Sequence, residues 1–263
     1  MSLLTDVRGG AALEAYEAFA PFYDSYTADH GHDEWMADIE AMVRRHDPPG
    51  NRLLDVACGT GKSFVPMLDC GYAVTACDLS PAMVERARAR LGGRGEVRVA
   101  DMRELPWRGA FDVATCIDDS INYLLSLAEV VAAMRSIREA LVPRGLVVFD
   151  VNSLGAYRRA FADEVTFETN GTTFRWRGEG SRFMPSGELA SAATEVLAHD
   201  GSVTASAVHV QRHYSIEQLE LAADEAGLRC LGFWGEMPGD GLVPDPDEEA
   251  CSKVVCLAAR PEA

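Results

Sequence analysis

The sequence predicts an α/β protein built on a doubly wound, mostly parallel seven-stranded sheet, with an N-terminal helical lid and an antiparallel β-hairpin insertion. Three observations predict it. Short apolar runs alternate with helical patterns through residues 52–151, which is how parallel βαβ units read. The first run, Leu53-Leu54-Asp55-Val56-Ala57, leads into Cys58-Gly59-Thr60-Gly61-Lys62, a glycine turn that lets the main chain bend sharply and leaves room for a ligand against it. From 165 to 213 the pattern becomes alternation broken by Asn170-Gly171, Ser186-Gly187 and Asp200-Gly201, as in antiparallel hairpins.

The elements follow in order. Residues 13–26 carry Tyr16, Phe19, Ala20 and Tyr23 at helical spacing, and 33–45 place Trp35, Met36, Ile39, Met42 and Val43 on one stripe. His46-Asp47-Pro48-Pro49-Gly50 ends that helix. Strands are expected at 52–57, 73–77, 96–100, 111–117 and 146–151, and helices at 63–70, 81–91 and 127–141. Ser80-Pro81 gives a hydroxyl cap with proline at the first helical position. After the hairpins, Ser215 and Gln218 form a capping box for a helix that stops at Gly227. Strands at 228–234 and 253–258 close the chain, separated by an acidic Pro/Gly loop. The expected division is 1–48 as lid, 49–160 with 214–263 as a nucleotide-binding unit, and 161–213 as an insertion serving either a substrate wall or a homo-oligomer contact.

Composition narrows the function. The 263 residues are 48% hydrophobic and carry a formal net charge of −17. Such acidity repels phosphate backbones, so nucleic acid is disfavoured, and it favours approach of a cationic small molecule, solubility being the plainer reading. No apolar run approaches the roughly 18 residues of a membrane span, and residues 1–10 lack a signal-peptide layout, so a cytoplasmic location is expected. Seven cysteines without a Cys-x-x-Cys pair read as reduced, mostly buried thiols rather than a disulfide or metal framework.

Three nucleotide readings compete for the glycine turn. A triphosphate loop needs a glycine five residues before Gly61-Lys62-Ser63, where Val56 stands, leaving Lys62 as a surface helix residue. A dinucleotide fingerprint, as in an NAD-dependent oxidoreductase, needs a third glycine where Phe64 stands. The third reading fits. Asp55-Val56-Ala57-Cys58-Gly59-Thr60-Gly61, Asp78-Leu79-Ser80-Pro81-Ala82-Met83, Ala100-Asp101-Met102-Arg103, Phe111-Asp112-Val113 and Pro143-Arg144-Gly145 form an ordered series over 52–151. It resembles the motifs of class I S-adenosylmethionine-dependent methyltransferases. Ala57 and Arg144 stand where many members have glycine.

The resemblance implies S-adenosyl-L-methionine as cofactor, without a metal. Asp78 at a strand's carboxyl end would accept from the ribose hydroxyls, and Asp101 from the adenine amine, with Met102 and Leu79 as apolar walls. Ala57, Gly59 and Gly61 would meet the methionine portion, and Asp55 its ammonium group. Met83 and Ile117 complete the expected contacts. Plain strand-end capping is the alternative for Asp78 and Asp101.

The aromatic leader and the insertion ending His209-x-x-Arg212-x-Tyr214 resemble bacterial small-molecule N-methyltransferases acting on amino sugars and similar natural products. In that group the leader closes over the cofactor, which makes Tyr23 and Trp35 the expected lid contacts, followed by Tyr16 and Tyr26. The expected reaction is in-line methyl transfer to an amine in secondary metabolism. Tyr16, Tyr23, Asp118 and His209 are the candidates around the transfer. Asp118 would attract an ammonium or take its proton. His209 is the best imidazole for an alcohol acceptor, which keeps O-methylation open.

Overall fold

The computed structural model describes residues 10–237, 239 and 241–262. Residues 1–9, part of both the expected lid and the signal-peptide reading, lie outside the described residues. Helices α1 (Gly10–Tyr26) and α2 (His32–Arg45) precede the first βαβ series: β1 (Arg52–Val56), α3 (Phe64–Asp69), β2 (Ala73–Asp78), α4 (Pro81–Leu91) and β3 (Glu96–Val99). The series continues through β4 (Phe111–Cys116), α5 (Leu127–Ala140), β5 (Leu141–Asn152) and α6 (Leu154–Ala160). Hairpin strands β6 (Glu164–Thr169), β7 (Thr172–Gly178), β8 (Leu189–Leu197) and β9 (Val203–Arg212) follow. The chain finishes with α7 (Ile216–Ala226), β10 (Arg229–Met237), β11 (Gly241–Pro244) and β12 (Lys253–Ala259).

The main sheet has the order β11-β10-β12-β5-β4-β1-β2-β3. It therefore holds eight strands where the sequence predicts seven. The extra strand, β11, forms within the acidic loop by pairing antiparallel with the end of β10, Met237 opposite Gly241 and Trp234 opposite Pro244. Pairing from β3 to β5 is parallel and from β5 to β11 antiparallel. Strand order reverses between β1 and β4, and the crevice outside the carboxyl ends of strands at such a point is where doubly wound folds hold ligands.

Both faces of the sheet's centre are covered, so β4 and β12 are buried almost throughout rather than alternating, whereas the edge strand β3 buries only Val97. Val130, Met134 and Ile137 of α5 and Leu219 and Ala223 of α7 fill one side. Met36, Ile39 and Val43 of α2, Met67 of α3 and Val84 and Ala87 of α4 fill the other. Caps fix the helix starts: the Ser80 hydroxyl accepts from Met83 N, and Ser126–Glu129 and Ser215–Gln218 form capping boxes. Gly227 ends α7 with φ 77°.

The insertion strands form a separate antiparallel sheet in the order β6-β7-β8-β9. Helix α1 lies against it: Ala15 and Phe19 are buried with Phe174, Val196 and Ala207. The leader helix and the second sheet thus share one apolar contact. Helix α6, not expected from the sequence, starts where the Ser153 hydroxyl accepts from Ala156 N.

Candidate active site

At the reversal point β1 runs into a tight turn. Ala57 has φ 56° and Gly59 φ 53°. Gly59 N donates to Asp78 Oδ2 at 2.8 Å, and Ser80 N to Asp78 Oδ1 at 2.9 Å. The carboxylate at the end of β2 therefore holds the turn in shape. Burial pushes its pKa above the ordinary carboxylate value, against the pull of these N–H groups.

Beside this turn lies a cavity whose walls include Ala57, Gly59, Asp78, Leu79, Asp101 and Met102. These residues fit the cofactor the sequence implies. A carboxylate offers about four acceptor positions, and two on Asp78 remain beyond the backbone bonds. A Cβ on Gly59 would enter the space before Tyr23, 3.7 Å from its Cε1. Asp101 also faces the cavity, gripped by Arg103, whose Nε and Nη2 both donate to it. Burial acts to raise its pKa, but Arg103 holds it below the usual range.

A second cavity adjoins the first. Tyr16, Tyr23, Asp118 and Tyr123 line both and form the partition. Tyr16 Oη donates to Tyr123 Oη at 2.9 Å, and Tyr123 Oη meets His209 Nδ1 at 2.9 Å. Burial raises the pKa of all three partition tyrosines, so their hydroxyls stay protonated. Burial lowers His209 to about 4, leaving the imidazole neutral at pH 7 and able to accept from Tyr123. Trp176 stacks on His209, centroids 6.2 Å apart. Its neighbours on β7, Arg175 and Arg177, are paired instead with Glu195.

Asp118 and Asp119 follow β4, both at positive φ, 58° and 51°. Asp118 Oδ2 meets His32 Nε2 at 2.9 Å, and its carboxyl is held below the ordinary range by that bond and by Lys253, which outweigh burial. Asp119 accepts from Lys253 Nζ at 2.7 Å and from Gln211 Nε2 at 2.6 Å, while its N–H donates to Asp150 Oδ1. Burial pushes Asp150 up to about 7.

Of the residues singled out in the sequence, the structure brings Tyr16, Tyr23, Ala57, Gly59, Asp78, Leu79, Asp101, Met102, Asp118 and His209 to these two cavities. Five others line neither. Asp55 is buried, its oxygens accepting from Thr115 Oγ1 and Ser63 Oγ at 2.7 Å each; burial pushes it up to about 6. It ties β1 to β4 and to the start of α3. Gly61 (φ 85°) lies under the buried Phe64 ring, whose Cζ would come within 2.2 Å of an added Cβ. Met83 is wholly buried at the start of α4. Ile117 belongs to the core on the α2 side, and Trp35 packs against that core from α2 rather than closing over the cofactor cavity.

The structure also shows contacts that sequence reasoning missed. Asp24 of α1 accepts from Thr60 Oγ1 at 2.6 Å and pairs with Arg90 at 2.8 Å. Lys62, read as a surface helix residue, donates to Asp24 O and Thr27 Oγ1. Glu17 accepts from Ser80 Oγ and Ala82 N at the start of α4. These bonds latch the leader onto the cofactor-side loops. Tyr23 was visible in the aromatic leader, but nothing local pointed to Arg90 as the partner of the adjacent Asp24. His30 and Lys253 at the second cavity carried no sequence signal.

Comparison with known proteins agrees with this geometry. A methyltransferase-domain family matches residues 53–145. A putative methyltransferase of Bacillus subtilis is 33% identical over 151 residues, and the match spans 56% of this chain and 60% of that protein. The dTDP-3-amino-3,6-dideoxy-alpha-D-glucopyranose N,N-dimethyltransferase of Streptomyces fradiae is 32% identical over 240 residues, 85% of this chain and 88% of that protein. The crystal structure of a sugar N-methyltransferase from Streptoalloteichus superposes with a TM-score of 0.71 at 26% identity, covering 94% of each chain. With the cofactor-side turn, Asp78 and Asp101 on one cavity and the ordered motif series along 52–151, the chain belongs to the S-adenosylmethionine-dependent methyltransferases.

Proposed function

We propose that this protein N-methylates a small-molecule amine in a cytoplasmic biosynthetic pathway. The observation that carries the reading is the meeting of two cavities across Tyr16, Tyr23, Asp118 and Tyr123, one with a nucleoside-binding lining and one with an aromatic lining. When bound, S-adenosyl-L-methionine supplies a methyl group on a positively charged sulfur for in-line displacement by a nucleophile.

The chain's own residues do the rest. Asp78 and Asp101 hold the nucleoside end, and α1 closes the cavity and limits water. Asp118 draws in the acceptor as an ammonium. Tyr16 and Tyr123, fixed by His209, orient the acceptor nitrogen toward the partition once the ammonium has given its proton to solvent water; such alignment supplies most of the acceleration when no covalent help is needed. An imidazole held near 4 is a poor base at neutral pH, so His209 positions Tyr123 rather than removing a proton. That favours an amine over an alcohol, whose proton must be taken during transfer.

Release of S-adenosylhomocysteine from a panel of amines and matched alcohols tests this. The expected result is turnover with amines, and for His209→Ala a loss of about tenfold in kcat with unchanged pH dependence and intact cofactor binding. A loss of roughly 10³-fold would mark His209 as a general base and favour O-methylation. Absence of S-adenosylhomocysteine binding by calorimetry would overturn the reading at its base.

A further inference from the structure

The acceptor cavity combines an aromatic lining with a shortage of free positive charge. Among the described residues, Lys253 is the one lysine or arginine that lines it. Its ammonium is already neutralised, 2.7 Å from Asp119 Oδ1 and 3.5 Å from Asp150 Oδ2. The arginines around the cavity's α6 and hairpin side are engaged too. Arg158 pairs with Glu249, Arg182 with Asp163 and Arg175 with Glu195. Arg159 spends its terminal nitrogens on the carbonyls of Glu249 and Cys251. Lys62 is turned toward Asp24 and Thr27.

A diphosphate needs the opposite arrangement, with free guanidinium or ammonium groups that grip its oxygens through charge-assisted bonds. Here the free charge is negative. Asp118 reaches His32 through Oδ2 alone, and its side chain keeps 35% of its exposure at the partition. Much of the remaining lining is aromatic, with Trp176, Phe161, Phe167 and Tyr26 around the cavity. A carboxylate facing aromatic rings suits an organic ammonium, which gains from both the charge and the ring faces.

We infer that the acceptor is an amine on an apolar or aromatic body that carries no phosphate, seated with its ammonium at Asp118 and its body against Trp176 and the phenylalanines. This rests on the N-methylation reading and departs from the dTDP-linked sugar in the name of the Streptomyces fradiae relative.

Calorimetry on the full chain saturated with S-adenosylhomocysteine tests it with two probes, benzyltrimethylammonium and thymidine 5′-diphosphate. The ammonium is expected to bind, with Asp118→Asn weakening it about tenfold and Trp176→Phe about threefold, in line with the loss of one charge and a weaker ring face. Asparagine tolerates positive φ, and S-adenosylhomocysteine affinity measured on each variant reports that it is folded. Thymidine diphosphate is expected to give no binding at millimolar concentration. Binding of the diphosphate, absence of ammonium binding, or ammonium binding indifferent to Asp118→Asn would each overturn the inference. The two failures are distinguishable: no turnover of any amine despite ammonium binding would remove the methyl-transfer reading, whereas diphosphate binding alongside amine turnover would keep that reading and remove this inference.

Discussion

Ala57 and Arg144, the two positions where this chain departs from the glycines common in its family, both have a left-handed backbone, φ 56° and 64°. The turns therefore keep their shape at the expense of Cβ crowding, worth about 1 kcal/mol at each residue. Arg144 is remote from the cavities and its ion pair with Glu262 is exposed, so its strain is separable from function. Arg144→Gly is expected to raise stability by about 1 kcal/mol in urea unfolding, while Arg144→Ala gives no gain because alanine keeps the Cβ. Equal effects of the two would show that the gain comes from losing the arginine side chain. At this scale the residues legible in the sequence were those whose role is local: Gly59 and Asp78 act within one turn and one strand end. Asp55 stands at a motif position that serves either ligand contact or core tie. Only the positions of Thr115 and Ser63 show that each of its oxygens accepts a bond inside the protein.

Helix α1 was legible as a helix, and its aromatic face as unusual, but its attachments were not. One side packs on the second sheet through Phe19, and the other is latched by Glu17 and Asp24 to the starts of α4 and the glycine turn. The Asp24 latch links the closing element directly to Thr60 and Arg90. Asp24→Ala is expected to weaken S-adenosylhomocysteine binding about tenfold, equivalent to roughly 1.4 kcal/mol, through faster dissociation. Stopped-flow release measures this, and an unchanged off-rate would show that α1 stays closed on its apolar contacts alone. Helices with capping boxes were readable because the signal lies within four residues. Strand β11 was not, since Gly241-Leu242-Val243-Pro244 becomes a strand only by pairing with the end of β10. Helix α6, at seven residues, is too short for a periodic signal.

Across the whole molecule, buried titratable groups pull stability in opposite directions as pH falls. His209 titrates at about 4 in the folded state against an ordinary 6.5, so below 6.5 the unfolded chain takes a proton that the folded chain refuses. Its contribution is complete above 6.5 and is lost as pH drops toward 4, roughly 3 kcal/mol in all. Asp55 at about 6 and Asp150 at about 7 act in reverse. Each costs stability at neutral pH, and acidification toward the ordinary carboxylate range relieves that cost. Wild type alone shows only the balance. The stability gap between wild type and His209→Gln is therefore the measurement, and urea unfolding is expected to show it narrowing by roughly 3 kcal/mol between pH 7 and pH 4. A constant gap would mean that the imidazole titrates normally.

The sequence by itself determined the doubly wound core and the cofactor, because both are written in contiguous strand-turn-helix motifs whose backbone geometry is set by their own glycines, caps and apolar runs. The tertiary structure decided the acceptor side. His209 and Tyr123 are 86 positions apart and Lys253 and Asp119 are 134 apart, yet each pair is joined by a direct hydrogen bond. His209 meets Tyr123 through the packing of the second sheet over the carboxyl ends of the main sheet, and Lys253 meets Asp119 because β12 pairs with β5 beside β4. The burial, pairing and neutralised charge that define the chamber arise only once that packing exists.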